Sequence, residues 1–187
     1  FEEVERSALQ IPSPRDEANA SRTPFTFQRF AIPALKGGKG RAIYLDSDML
    51  VFDDLRQLWQ WPFDGAQILA VDERAGSGRR SQFSVMVLDC EALRHWEPSE
   101  LIQGLDNGKW TYEQLVYEMA AAERVRAVIP SRWNDLERYE EGTTALTHYT
   151  DMNTQPWLST ENLAAHAWCR ELIDAVECGF IDARLVE

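Results

Sequence analysis

Short apolar runs alternate along the chain with segments whose apolar positions recur at helical spacing. The apolar runs, which predict strands, are 41–45, 68–71, 82–89, 125–129 and 145–148. The amphipathic segments, which predict helices, are 55–59, 99–105, 111–122 and 161–178. Strands that alternate with helices in this way favour the α/β class with a mostly parallel central sheet.

Two aspartates, Asp46 and Asp48, follow the first apolar run with one residue between them, and a second apolar run, 49–52, comes directly after. Carboxylates held between buried segments need a cation or hydrogen-bond donors, because their desolvation is costly. Open α/β sheets bind ligands at the carboxyl ends of their strands, which favours a divalent-metal site here. A simpler alternative is that one aspartate caps the next element while the other faces water.

Length, composition and charge limit which kinds of protein and which partners are expected. The 187 residues suffice for one well-packed domain and are short for two, so we expect a single domain over 1–187. No apolar run approaches the roughly 20 residues that cross a bilayer, so no membrane span is predicted. The formal net charge of −12 argues against nucleic acid as a partner, since a field of that sign repels phosphates.

The three cysteines, Cys90, Cys169 and Cys178, are odd in number and lack the spacing of a metal site. A disulfide framework is therefore not expected, and the interpretation that we favour is buried thiols in a reducing cytosol. These residues predict a cytoplasmic location.

A histidine could complete a site built on the two aspartates. Two carboxylates suit Mg²⁺, Mn²⁺ or Ca²⁺, and an imidazole ligand shifts that preference toward Mn²⁺. His148 ends the predicted strand 145–148, whereas His95 lies in a predicted surface turn and His166 in the last predicted helix. Taken alone, each of the three is better explained by a structural role.

Several segments resemble the motifs of family 8 glycosyltransferases, in the same order, over roughly residues 23–158. In chain order they are 23–30, 41–55 with Leu58-Trp59, 84–89, Glu113-Gln114, 129–134, and His148 with Gln155-Pro156-Trp157. The resemblance implies a GT-A-like, Rossmann-type three-layer domain. It also implies a retaining, hexosyltransferase-type enzyme that uses a nucleotide-sugar donor, expected to be a UDP-sugar, and an acceptor that the sequence does not identify.

The resemblance further implies roles for individual residues. Asp46, Asp48 and His148 would bind a divalent ion, Mn²⁺ or Mg²⁺, and Ser47 would lie near the donor ribose. Such an ion would neutralise the charge that builds on the departing diphosphate and would align the donor.

Other matched positions would act on the donor. Arg29, Gln82 and Gln155 correspond to donor-side positions, and Gln114 beside Glu113 would lie near the reacting sugar carbon. The family has a lysine where this chain has Gln155, and an Asn-x-Gly where it has residues 82–84. No counterpart of the family's first strand is recognised, so an N-terminally incomplete domain is expected.

These departures keep two alternatives open. One is a non-catalytic or degenerate GT-A-like domain that binds a sugar or a nucleotide. The other is a phosphatase resembling the haloacid dehalogenases, in which the first aspartate is a nucleophile. That class needs a Gly or Thr shortly after the aspartates, and here Met49-Leu50 follows instead.

Overall fold

A computed structural model describes residues 11–23, 25–72 and 83–186 of the chain. These residues form two compact units. The first holds the described residues up to Leu45 together with those of Leu55–Pro130, and the second holds Asp46–Asp54 together with the described residues from Ser131 onward. A single domain over 1–187 stays a prediction.

Strands and helices alternate along the described residues. The strands are β1 Arg41–Leu45, β2 Met49–Val51, β3 Ile68–Val71, β4 Val85–Asp89, β5 Val125–Ile129, β6 Asp135–Leu136 and β7 Leu146–His148. The α-helices are α1 Ile32–Leu35, α2 Arg56–Trp59, α3 Pro98–Asp106, α4 Tyr112–Tyr117 and α5 Ala165–Glu177. Short 3₁₀ turns cover Glu17–Asn19, Gln28–Ala31, Ser131–Asn134 and Ala183–Leu185.

The first unit is built on a four-stranded sheet in the order β1-β4-β3-β5. β3 pairs in parallel with β5, whereas β4 runs antiparallel to both β1 and β3. The α/β class is confirmed, but within the described residues the sheet is mixed where a mostly parallel one was expected. Apolar periodicity locates strands without giving their direction, which depends on how the connecting segments cross the sheet.

The core of the first unit lies on β3 and β4. Ile68–Val71 is buried at every position, and so are the first four residues of β4. Continuous apolar runs of this kind occur where both faces of a strand are covered. Side chains that pack around these strands include Phe30, Trp96, Leu101 and Leu115. β1, by contrast, is half-buried along its whole length, so the expectation that the two aspartates leave a buried strand is corrected.

The second unit is built on a small sheet in the order β2-β7-β6. The central strand β7 is buried at all three positions, and it pairs antiparallel with β2 and parallel with β6. Trp133 and Tyr149, both 1% exposed, pack in this unit, and the Tyr149 hydroxyl donates to the Ala164 carbonyl at 3.2 Å. The sheet therefore has a well-packed centre although its strands are short.

Two predicted helices are shorter than expected. The segment 111–122 is helical only over Tyr112–Tyr117, because Met119 takes a φ of +51° and Ala120 N donates back to the Gln114 carbonyl. A left-handed residue that closes a helix in this way is usually glycine, so Met119 gives no sequence signal for the end. The segment 161–178 is helical over Ala165–Glu177.

The cysteines differ from the expectation of three buried thiols. Cys90 is buried, whereas Cys169 on α5 and Cys178 just after it are exposed, and all three are free thiols. Within the described residues, every helix is too short or too polar to cross a bilayer.

Candidate functional site

Asp46, Asp48 and His148 converge at one end of the small sheet of the second unit. One ligand atom from each lies within 4.8 Å of the other two. The His148 Nε2 is 3.2 Å from an Asp48 carboxylate oxygen and 3.9 Å from one of Asp46. Atoms that each bind one ion at about 2.1 Å lie about 3–4 Å from one another, so these two separations suit a shared cation.

Strand pairing explains why residues so far apart in sequence meet. Asp48 directly precedes β2 and His148 is the last residue of β7, and the two strands run antiparallel with Met49 opposite His148. The backbone N–H of Tyr149 donates to the Asp48 carbonyl at 2.9 Å, just beyond the last paired residues. The ordinary β-ladder therefore brings the second aspartate to the histidine.

The histidine ring is held from its other side by Asn134. His148 is 3% exposed and Asn134 is 8% exposed, and His148 Nδ1 lies 2.9 Å from the Asn134 side-chain oxygen. Because an amide oxygen only accepts hydrogen bonds, this contact suits the imidazole tautomer that carries its proton on Nδ1. In that tautomer the Nε2 lone pair faces the two carboxylates.

Three acceptors that face one point repel each other unless positive charge lies between them. A divalent cation meets this need, because carboxylate and neutral imidazole are ligands of Mn²⁺ and Mg²⁺ sites. The side chains of Asp46 and Asp48 are 24% and 30% exposed, so solvent and a ligand can reach the carboxylate side. Ser47 between them is exposed as well. The donor set therefore fits a divalent ion.

The loop after His148 is tied down by polar side chains. Gln155 is 8% exposed and its Nε2–H donates to the Tyr149 carbonyl at 3.0 Å. Burial, together with the nearby Glu137 carboxylate, raises the pKa of the Tyr149 hydroxyl well above its ordinary value. Tyr149 therefore stays protonated over the neutral range and keeps its hydrogen bond to Ala164.

The other predicted residues belong to the first unit. Arg29 is 7% exposed, stacks over the Tyr44 ring at 5.1 Å, and donates to the Phe83 carbonyl at 3.4 Å. Glu113 forms an exposed ion pair with Arg22 at 3.6 Å.

Gln114 has a structural contact at the start of α4. Its side-chain oxygen accepts from the Thr111 backbone N–H at 2.9 Å, and the Gln114 backbone N–H donates to the Thr111 hydroxyl at 3.1 Å. This pair is a capping box, which satisfies two of the donors left open at a helix start. Gln82 lies outside the described residues. The donor-side and catalytic roles of these residues stay predictions.

Asn134 is the contributor that the sequence did not single out. It appeared only as the end of the motif 129–134, with no role attached to it. An asparagine directly before a two-residue strand carries no signal of its own, and its contact with His148 depends on the pairing of β6 with β7. Only the folded chain shows it.

Comparison with known proteins gives a consistent result. The model of Glycosyl transferase family 8 matches residues 3–161. Glycosyltransferase 8 domain-containing protein 1 of Xenopus laevis is 41% identical over 54 residues, which are 29% of this chain and 15% of that protein. The chain thus spans a small part of this curated relative.

Two solved structures resemble the fold. The galactosyltransferase LgtC, in complex with donor and acceptor sugar analogs, has a TM-score of 0.56 at 16% identity, over 79% of this chain and 66% of that one. The glycosyltransferase GlyE of Streptococcus pneumoniae TIGR4 has a TM-score of 0.63 at 19% identity, over 82% of this chain and 44% of that one. At these identities the likeness shows a shared fold, and the GT-A-like fold expected from the motifs is confirmed. Because the family match covers most of its length, the chain belongs to glycosyltransferase family 8.

Proposed function

We propose that this chain transfers a sugar from a nucleoside-diphosphate sugar to an acceptor, with a divalent ion held by Asp46, Asp48 and His148. The observation that carries the proposal is the convergence of these three ligand atoms within 4.8 Å, in a chain that belongs to a glycosyltransferase family. A histidine beside two carboxylates favours Mn²⁺ over Mg²⁺ as the ion.

The residues of the second unit hold the ligands ready before any ion binds. The two carboxylates bring two negative charges and the imidazole brings a neutral nitrogen, so a divalent ion leaves the group without net charge. The β2–β7 ladder and the burial of His148 limit how far the ligands must move. When bound, the ion supplies the positive charge that stabilises a departing diphosphate.

The donor that we propose is a UDP-hexose, transferred with retention of configuration. Resemblance to the family motifs supports this, and the related fold of LgtC, a galactosyltransferase solved with sugar analogs, agrees with a hexose. Ser47, exposed between the two aspartates, is suited to contact a ribose, because its hydroxyl can both donate and accept hydrogen bonds.

We assign the remaining donor contacts to Arg29, Gln82 and Gln155, and place Glu113 and Gln114 near the reacting carbon. Gln155 differs from the lysine of the family in having no charge, and its amide already donates to the Tyr149 carbonyl. Besides its proposed donor contact, the amide therefore holds the loop that follows His148. Three free thiols, two of them exposed, support a reducing compartment such as the cytoplasm.

A second candidate is a domain of the same fold that binds a nucleotide or a sugar without turnover. Two contacts favour it: Gln155 is engaged where the family has a lysine, and the Gln114 side chain caps α4. The phosphatase alternative is set aside because the chain belongs to a glycosyltransferase family.

Thermal unfolding with Mn²⁺ and UDP tests the site. We expect the two together to raise the Tm of the full chain, and Asp48→Asn to abolish the rise. Asp174→Asn is the matched control, since Asp174 makes the same charge change at an exposed position on α5 of the same unit. An unchanged response in Asp48→Asn would contradict the proposed metal site.

Turnover separates the two candidates. Release of UDP from a panel of UDP-hexoses in the presence of Mn²⁺ supports a transferase. A Tm rise that depends on Asp48, with no release from any donor in the panel, supports the binding domain instead.

A further inference from the structure

Asn134 is fixed by its neighbours independently of any ligand. It ends the turn Ser131–Asn134 and directly precedes β6, which pairs with β7 so that Asp135 lies opposite Thr147 and Leu136 opposite His148. On the preceding side, the Arg132 carbonyl accepts from the Ala145 N–H at 2.9 Å. The amide is therefore presented to the His148 ring by the same small sheet that carries the ring.

The proton on the imidazole decides whether the ring can bind a cation through Nε2. A neutral imidazole has one N–H, and only the form protonated on Nδ1 leaves the Nε2 lone pair available. Nε2 lies 3.2 Å from an Asp48 carboxylate oxygen, and that oxygen would accept a hydrogen bond if Nε2 carried the proton. Asp48 alone thus favours the form that cannot bind a metal.

We infer that Asn134 is the positioning residue that sets the tautomer and the plane of the His148 ring, and so makes Nε2 the ligand. Its side-chain oxygen accepts from Nδ1–H at 2.9 Å, which opposes the preference that Asp48 imposes from the other side. The inference rests on the metal site of the proposed function. It goes further by assigning a role to a residue that touches neither the ion nor the donor.

The expected effect on metal affinity follows from the role of such outer contacts. Loss of a hydrogen bond that orients a metal-binding histidine lowers metal affinity about 10–100-fold. Asn134→Ala removes the acceptor, so we expect a decrease of this size in Mn²⁺ affinity. Asn134→Asp keeps an acceptor at nearly the same place and is expected to restore most of the affinity.

Two readouts test the inference on the full chain. Nitrogen-15 NMR of the metal-free protein at pH 8, with His148 identified by its loss in His148→Gln, reports which ring nitrogen bears the proton. We expect Nδ1 in the wild type and in Asn134→Asp, and a shift toward Nε2 in Asn134→Ala. Calorimetric titration with Mn²⁺ alone gives the affinities.

A matched control separates this role from general packing. Asn162 is also a buried asparagine of the second unit, and its side chain bonds to Glu137 and to the Ala164 N–H. Asn162→Ala removes a comparable set of hydrogen bonds and is expected to leave the His148 tautomer unchanged. An equal shift in Asn162→Ala would overturn the role assigned to Asn134.

The outcomes also separate this inference from the proposed function. If the wild type binds Mn²⁺ but carries its proton on Nε2, the inference fails while the metal site stands. If the wild type has the Nδ1 proton but binds no Mn²⁺, the proposed site fails and the part of Asn134 in setting the tautomer is supported. Should Asn134→Ala not fold, the wild-type spectrum and the Asn134→Asp affinity still decide the matter.

Discussion

Replacing Glu137 by alanine removes an acceptor that joins three segments of the second unit. One carboxylate oxygen of Glu137 accepts from the Thr150 hydroxyl at 3.2 Å and from the Asp151 N–H at 2.8 Å. The other accepts from the Asn162 amide at 2.5 Å. Glu137 also has a φ of +54°, a conformation that side-chain-bearing residues rarely take. A residue held in this way indicates that its contacts outweigh the backbone strain.

The cost can be estimated from the three hydrogen bonds. Each contributes about 1 kcal/mol net, which gives about 3 kcal/mol in total. Glu137 is only half-buried, so water replaces part of what is lost and we expect about 2 kcal/mol for Glu137→Ala. For a chain of this size that corresponds to a decrease in Tm of about 4–8 °C.

Scanning calorimetry of the ligand-free chain measures this change. Glu161→Ala is the control, since Glu161 is exposed in the same unit and is expected to shift the Tm by less than about 2 °C. Glu137→Gln keeps one acceptor and should fall between the two. A Tm for Glu137→Ala that equals that of Glu161→Ala would refute the role given to these hydrogen bonds.

Three further predictions address single contacts. Gln155→Lys loses the amide bond to the Tyr149 carbonyl, so we expect a stability loss of about 1 kcal/mol in denaturant unfolding. The added positive charge should tighten the binding of UDP with Mn²⁺ in a titration, and weaker UDP binding would contradict this. Thr111→Ala breaks the capping box of α4 and should cost about 1 kcal/mol in urea unfolding, whereas Thr111→Ser should cost little. The raised pKa of Tyr149 means that its contribution to stability is complete below about pH 10 and is lost as pH rises toward the folded-state pKa. When the pH is raised from 9 to about 11, the free energy of unfolding should therefore fall less for Tyr149→Phe than for the wild type. Equal decreases would refute the link between the Tyr149 pKa and stability.

Some features of the fold and of the candidate site could be predicted from the sequence because they depend on neighbouring residues. The run Arg41–Leu45 is followed by two aspartates, and in the fold a strand ends there and both carboxylates converge with His148. His148 could be named only because the family motif linked it to the aspartates. Taken alone, His148 is better explained by a structural role.

Other features depend on distant pairing and leave no local pattern. The direction of β4 is set by its partners, and the end of α4 at Met119 uses a conformation that the sequence would assign to glycine. The exposure of Cys169 follows from how α5 packs, since only Ala167 of that helix is buried. Asn134 acts through a side-chain contact that exists only once β6 and β7 pair.

The register of the three-residue strand β7 decides which side chain reaches the two aspartates. Side chains alternate between the faces of a strand, so a slip of one residue would turn His148 away and bring Thr147 to its place. The Tyr149 N–H bonded to the Asp48 carbonyl and the Glu137 N–H bonded to the His148 carbonyl, at 3.1 Å, oppose such a slip from both neighbouring strands. A single insertion or deletion within 146–148 would therefore dismantle the site.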